Sequence, residues 1–105
     1  MKIGKLYQVK EFFWFLYPSK DIASAVDHYD DEAAAYDDEA AAWAAAYAEC
    51  WSKRFKCNVS YIESNSVFCL LEKDEKYCMI LSTNGELGWI ILADWCKDDI
   101  EEVKI

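Results

Sequence analysis

A chain of 105 residues, 54% hydrophobic and 16% aromatic, can bury one modest core, which excludes a wholly disordered protein and leaves no room for a second lobe. Twenty acidic against eleven basic side chains give a formal charge of -9, the wrong sign for a protein that itself grips a phosphate backbone. No apolar run approaches the roughly 20 residues a membrane span needs: Phe12 to Tyr17 has six and Ala40 to Ala48 has nine. The opening Met-Lys-Ile-Gly-Lys leads into no signal-peptide core, so a cytoplasmic protein with no membrane partner is expected.

In chain order, Lys5 to Leu16 reads as one long or two short strands, finished by Pro18. Ser19 is then a candidate N-cap for a helical insert over residues 19–57. Within it Tyr29-Asp-Asp-Glu-Ala-Ala-Ala35 is followed directly by Tyr36-Asp-Asp-Glu-Ala-Ala-Ala42, a seven-residue repeat, and Trp43 continues the period. Alanine and glutamate favour helix, and neither Gly nor Pro occurs between Asp21 and Lys56. Spacings of four and three pick out a seam of Ile22, Val26, Tyr29, Ala33, Tyr36, Ala40, Trp43, Tyr47 and Cys50, with the Asp-Asp-Glu clusters outside it. Lys53, Arg54 and Lys56 close the last turn, and Asn58 is placed to end it.

A helix of about 36 residues would be ~54 Å long, whereas a compact domain of this size is about 30 to 35 Å across. The helix therefore projects, breaks or pairs with another copy. A break belongs at Asp27-His28-Tyr29-Asp30-Asp31, where poor helix formers cluster, and a homodimer would use the Ile22–Cys50 seam.

The net negative charge is concentrated in residues 21–49 of this insert. Residues 1–20 carry four lysines against Glu11, a balance of +3. Residues 21–49 carry nine acids and no base, and residues 50–105 carry seven bases and ten acids. The flanks cancel, so the charge of residues 21–49 equals that of the whole chain.

After Asn58 the pattern changes to short apolar runs. Strands are predicted at Val59–Ile62, Val67–Leu71, Tyr77–Ser82, Leu87–Leu92 and Ile100–Lys104. The intervening turns are Glu63-Ser-Asn-Ser66, Lys73-Asp-Glu-Lys76, the Asn84-Gly85 pair and Ala93-Asp-Trp-Cys96. The expected fold class is α+β: a small antiparallel β-barrel of about five to six short strands plus one long or broken α-helix. It forms a single domain 1–105, with 1–17 and 58–105 making the barrel.

Leu6-Tyr7, Val67-Phe-Cys-Leu-Leu-Glu72, Tyr77-Cys-Met-Ile-Leu81, Asn84-Gly-Glu-Leu-Gly-Trp-Ile90 and Ala93-Asp94-Trp95 resemble the successive strands of an SH3-like domain. On this resemblance, covering residues 1–12 and 58–105, the helix replaces the family's long first loop. A single 3₁₀ turn precedes the closing strand. The family's peptide-binding members carry a second aromatic after the Leu-Tyr pair, a double Trp and a Pro before the 3₁₀ turn. Here those positions are Val9, Tyr77-Cys78 and Ile91, which argues against proline-motif binding. Tyr7, Tyr77, Trp89 and Trp95 are the candidates to line a groove for a protein partner, although core packing competes for at least two of them.

Recognisable catalytic chemistry is scarce. The five cysteines include no Cys-x-x-Cys pair and suit reduced thiols. His28 is the only histidine, which leaves no four-ligand zinc set and no supported Cys–His pair, and the three glycines form no phosphate loop. A non-catalytic protein with no cofactor and no metal is expected.

Two roles for the acids remain open beside simple solvation. The chain is expected to be an SH3-like protein-interaction module. Alternatively, Asp30, Asp31, Glu32, Asp37, Asp38 and Glu39, repeating ~10.5 Å along a helical rod, would imitate nucleic-acid phosphates. That is the strategy of small acidic inhibitors of nucleases and restriction systems, many of them from phages, which block a basic cleft.

Overall fold

The computed structural model describes residues 1–30, 32–37 and 41–104. The Lys5–Leu16 run divides into two strands, β1 (Leu6–Val9) and β2 (Phe13–Leu16). β1 alternates half-buried and buried positions, whereas all four residues of β2 are buried, so β2 is covered on both faces. Pro18 ends the run. Ser19 caps α1 (Lys20–Tyr29), its hydroxyl accepting from the Ile22 amide at 3.2 Å.

The predicted long helix is not there. α1 stops at Asp30, in extended backbone at φ -146 and ψ 122, inside the stretch whose composition marks the break. The Asp30 carboxylate accepts from the Glu32 amide at 2.9 Å, and the Asp30 carbonyl from the Ala33 amide at 3.1 Å, forming a local turn that competes with another helical turn. The first alanine triplet is then extended rather than helical: Ala33, Ala34 and Ala35 are all buried, and β3 (Ala35–Tyr36) pairs antiparallel with β2. Phe15 donates its amide to the Ala34 carbonyl, and the buried Tyr17 hydroxyl donates to the Ala33 carbonyl at 2.6 Å. These partners outweigh helix propensity, a weak preference that tertiary context overrides. A continuous rod of ~54 Å would also exceed the longest extent of the molecule, 39 Å.

Helix resumes as α2 (Ala41–Phe55). Its buried face is Ala44, Ala48 and Trp51, one residue round from the predicted seam, which leaves Trp43, Tyr47 and Cys50 exposed. Alanine on every side of this helix gives the apolar pattern no unique face. Packing selects the face where two alanines allow close approach and Trp51 reaches in, edge-on to Phe15 at 4.5 Å. The seam from Ile22 to Cys50 is therefore not one surface, and a homodimer along it has no continuous helix to use. Lys56, at φ 53, takes the left-handed conformation that ends α2, with the Cys57 amide donating to the Ser52 carbonyl.

The remaining chain follows its predicted order: β4 (Ser60–Ile62), β5 (Val67–Asp74), β6 (Tyr77–Ser82), β7 (Leu87–Ile91), a 3₁₀ turn at Lys97–Asp99 and β8 (Ile100–Glu102). Gly85, at φ 84, closes the β6–β7 hairpin by donating to the Ser82 carbonyl, while Ser82 donates to Glu86. β5 continues past its predicted end to Asp74, with a bulge between Leu70 and Glu72.

The strands form two antiparallel sheets rather than a closed barrel. One has the order β7-β6-β5-β1-β8 and the other β3-β2-β4. They are linked at Tyr17 and Trp89, whose backbones exchange hydrogen bonds of 2.9 and 2.8 Å. Gly88 makes this approach possible: a Cβ there would lie 2.5 Å from Leu16 Cγ and 2.9 Å from the Tyr17 carbonyl oxygen. The result is a compact α+β domain with a radius of gyration of 12.4 Å. Among the described residues no helix is long and apolar enough to cross a membrane.

Candidate interaction surface

The four groove candidates have different environments. Tyr7 is buried in β1 against Phe68, with ring centroids 5.9 Å apart, and its hydroxyl accepts from the Lys2 amide at 2.5 Å. Tyr77 is buried at the start of β6 and donates to Asp27 Oδ2 at 3.0 Å. Lys76 reaches the same carboxylate at 2.5 Å, and that hydrogen bond raises the Lys76 pKa. Asp27 thereby ties α1 to the β5–β6 hairpin, and Tyr77 joins the frame rather than a groove wall. Trp89 is half-buried, its backbone engaged with Tyr17. Only Trp95 is broadly exposed, at 47%, tilted against Phe12 at 5.9 Å.

The described part of the acidic insert lies next to Trp95. Glu32 and Asp37 flank β3, and together with Ala35, Tyr36 and Trp95 they line an open hollow of about 290 Å³. Tyr36 also packs on Tyr47 of α2, with centroids 5.2 Å apart. Asp30 is occupied in ending α1, and the candidates Asp31, Asp38 and Glu39 lie outside the described residues. The structure thus brings Glu32 and Asp37 to the one exposed tryptophan of the candidate groove. Tyr7 lines a separate hollow with Lys73, Leu92 and Lys97.

Asp99 escapes a reading of the sequence altogether. It sits in the 3₁₀ turn, buried, and accepts from the Glu11 amide at 2.8 Å, the Phe12 amide at 3.2 Å and Trp14 Nε1 at 2.8 Å. These bonds fix the β1–β2 connection, and with it Phe12, beneath Trp95. Nothing distinguishes Asp99 from Asp98 in sequence, because its role depends on donors about 85 residues away.

Among the described residues no group of three or more His, Cys, Asp or Glu side chains is arranged to hold a metal ion. The cysteines are unpaired. Burial pushes the Cys78 and Cys96 thiols up from 9.0 to about 11 and about 12, and raises Cys57 as well. Because the unfolded chain releases these protons first, stability should fall as pH rises from about 9 toward 12. Alkylation at pH 8 followed by peptide mass mapping should label exposed Cys50 first and spare Cys78 and Cys96 until denaturant is added. Early labelling of either buried thiol would contradict this packing.

No family model matches the chain, and neither a curated protein nor a solved structure matches it at a significant level.

Proposed function

We propose that this chain is a non-catalytic, SH3-like module that acts by binding another protein, through the face that joins Trp95 to the acidic insert. The strand order β8-β1-β5-β6-β7, with two successive hairpins and a 3₁₀ turn before the closing strand, supports the SH3-like reading. The insert then stands where that family has its long first loop, folded back as α1, β3 and α2. A reducing, cytoplasmic setting suits the five unpaired thiols.

The observation that carries the reading is the hollow in which an exposed tryptophan meets Tyr36 and two carboxylates, Glu32 and Asp37. An aromatic floor rimmed by negative charge suits a partner segment with an apolar anchor beside a lysine or arginine. The nucleic-acid mimicry reading loses its premise of a straight rod, since the two copies of the repeat do not lie on one helix.

Affinity capture from a cell lysate at two salt concentrations tests the proposal, using the wild-type chain, Trp95→Ala and the pair Glu32→Gln with Asp37→Asn. A protein retained by wild type should be lost with Trp95→Ala and weakened about tenfold by the neutralised pair. Capture indifferent to Trp95→Ala would sink the reading. Capture that survives Trp95→Ala but collapses with moderate salt would favour mimicry instead.

A further inference from the structure

A cleft larger than the Trp95 hollow lies elsewhere, between α2 and β4. It measures about 620 Å³, within the roughly 300–1,000 Å³ of ordinary binding sites. Its wall includes every residue from Asn58 to Glu63. Alternate side chains of a strand point to opposite faces, so a cleft touching consecutive residues meets the strand along its edge. β4 is an edge strand, paired with β2 on one side and, among the described residues, with no strand on the other.

The register shows which groups that edge presents. Phe15 donates toward β3, so Trp14 and Leu16 face β4 and bond to their partners Ile62 and Ser60. The amides and carbonyls of Val59, Tyr61 and Glu63 consequently point away from β2. The Val59 amide donates to the Ser52 hydroxyl at 2.8 Å, and the Val59 carbonyl, 3.3 Å from that hydroxyl, shares its single proton with the Ala48 carbonyl at 2.7 Å. The Glu63 carbonyl accepts from the Ser66 amide at 3.1 Å. Between these two closures the main chain of Tyr61 faces the cleft.

The charge around it has one sign. Glu49 of α2, Glu63 after β4 and Glu86 of the β6–β7 hairpin line the cleft, and among the described residues no basic side chain does. Lys53 approaches Glu49 at 3.2 Å, but both are well exposed, so this pair does little to neutralise the cleft. A second copy of the chain, paired edge to edge, would set these glutamates against their own kind. An extended segment rich in lysine or arginine meets no such repulsion.

We propose that the α2–β4 cleft accepts an extended basic segment of another protein, which adds as a strand beside β4. The segment exchanges its two main-chain hydrogen bonds with Tyr61 while its basic side chains face Glu49, Glu63 and Glu86. This surface is distinct from the Trp95 hollow and does not depend on it.

An acetylated, amidated Lys-Val-Lys-Val-Lys-Val peptide, with a Glu-for-Lys version as control, tests this by NMR on the full chain. The basic peptide should shift the Tyr61 amide and slow its hydrogen exchange. It should bind at least tenfold more weakly to Glu49→Gln/Glu63→Gln/Glu86→Gln and unchanged to Trp95→Ala. Glu49, Glu63 and Glu86 are exposed and these changes are isosteric, and Tyr61→Pro offers a second variant. It removes the outward N–H without removing a ladder bond to β2, though it also deletes the ring that packs on Phe13, so binding should weaken at least tenfold. If that variant fails to fold, Tyr61 exchange in the wild-type chain decides. Failure of the basic peptide to bind overturns the proposal. So does an unmoved Tyr61 amide, equal binding of the acidic control, indifference to the triple neutralisation, or self-association that protects Tyr61 without peptide.

Discussion

Replacing Asp99 with alanine should cost about 3 to 5 kcal/mol, the expected range for removing a buried carboxylate and stranding its partners. The whole stability of a domain this size is expected to be about 5–15 kcal/mol, so the loss is a large share of the total and should lower the urea midpoint sharply. Three donors lose their acceptor together: the amides of Glu11 and Phe12 and the indole of Trp14, which is fully buried and out of reach of water. Asp99→Asn retains the shape and one acceptor oxygen but turns an amide donor toward other donors, so it should rescue only part of the loss. Asp98→Ala, at an exposed neighbour, should change stability by less than about 0.5 kcal/mol. Urea unfolding of the three variants makes the comparison. Equal midpoints for Asp98→Ala and Asp99→Ala would refute the network. A partly folded Asp99→Asn should also weaken binding at Trp95, because Phe12 is held by the same carboxylate.

Gly88→Ala is the second large effect, at about 2 to 4 kcal/mol, beyond the usual cost of overpacking a core by one methyl. The added Cβ meets two obstacles of different kinds. The Leu16 side chain can turn away, at the expense of a buried rotamer. The Tyr17 carbonyl, 2.9 Å from the new Cβ, is one partner in the bridge that joins the two sheets, and it cannot retreat without breaking that bridge. Leu16→Ala should therefore cost about 1 kcal/mol less in the Gly88→Ala background than in the wild-type chain, a favourable coupling between neighbours. A double variant no less stable than Leu16→Ala alone would mean that only the leucine was in the way. Strictly additive losses would mean that the two residues do not touch.

Much of the sheet is legible in the sequence, because its signals are local. Tight turns at Asn84-Gly85 and Lys73–Lys76, bounding short apolar runs, place β5, β6 and β7 within a few residues of where they stand. The insert is less legible for a physical reason. Alanine favours helix, yet its small side chain also fits a buried extended segment, so Ala33–Ala35 and Ala44–Ala48 carry the same local signal and adopt different structures. What separates them is non-local: Phe15 and Tyr17 supply hydrogen-bonding partners to the first group, while the second packs as helix around Trp51. The acids of the repeat suggest a break near Asp30, and the chain breaks there. Nothing in the composition says that the next residues join a sheet.

The surfaces divide in the same way. Trp95 is readable as an aromatic worth suspecting, but its exposure, and the burial of Tyr7 and Tyr77, follow only from the packing of the sheets. Glu49, Glu63 and Glu86 lie in three separate elements or turns, and no spacing along the chain connects them. The clustered acids of the repeat draw attention because they are adjacent in sequence, yet Asp30 is spent on capping a turn.

The functional reading depends most on one structural claim: that the segment from Glu32 to Asp37 is built into the domain beside Trp95 instead of projecting from it as a helix. Carbon secondary shifts across Ala33–Asp37, with an amide–amide contact between Phe15 and Ala34 or Ala35, measure this directly in the intact chain. Extended shifts with the cross-strand contact are the expected result. Helical shifts running unbroken from Lys20 to Phe55, with no contact to β2, would contradict it and remove the Trp95 hollow.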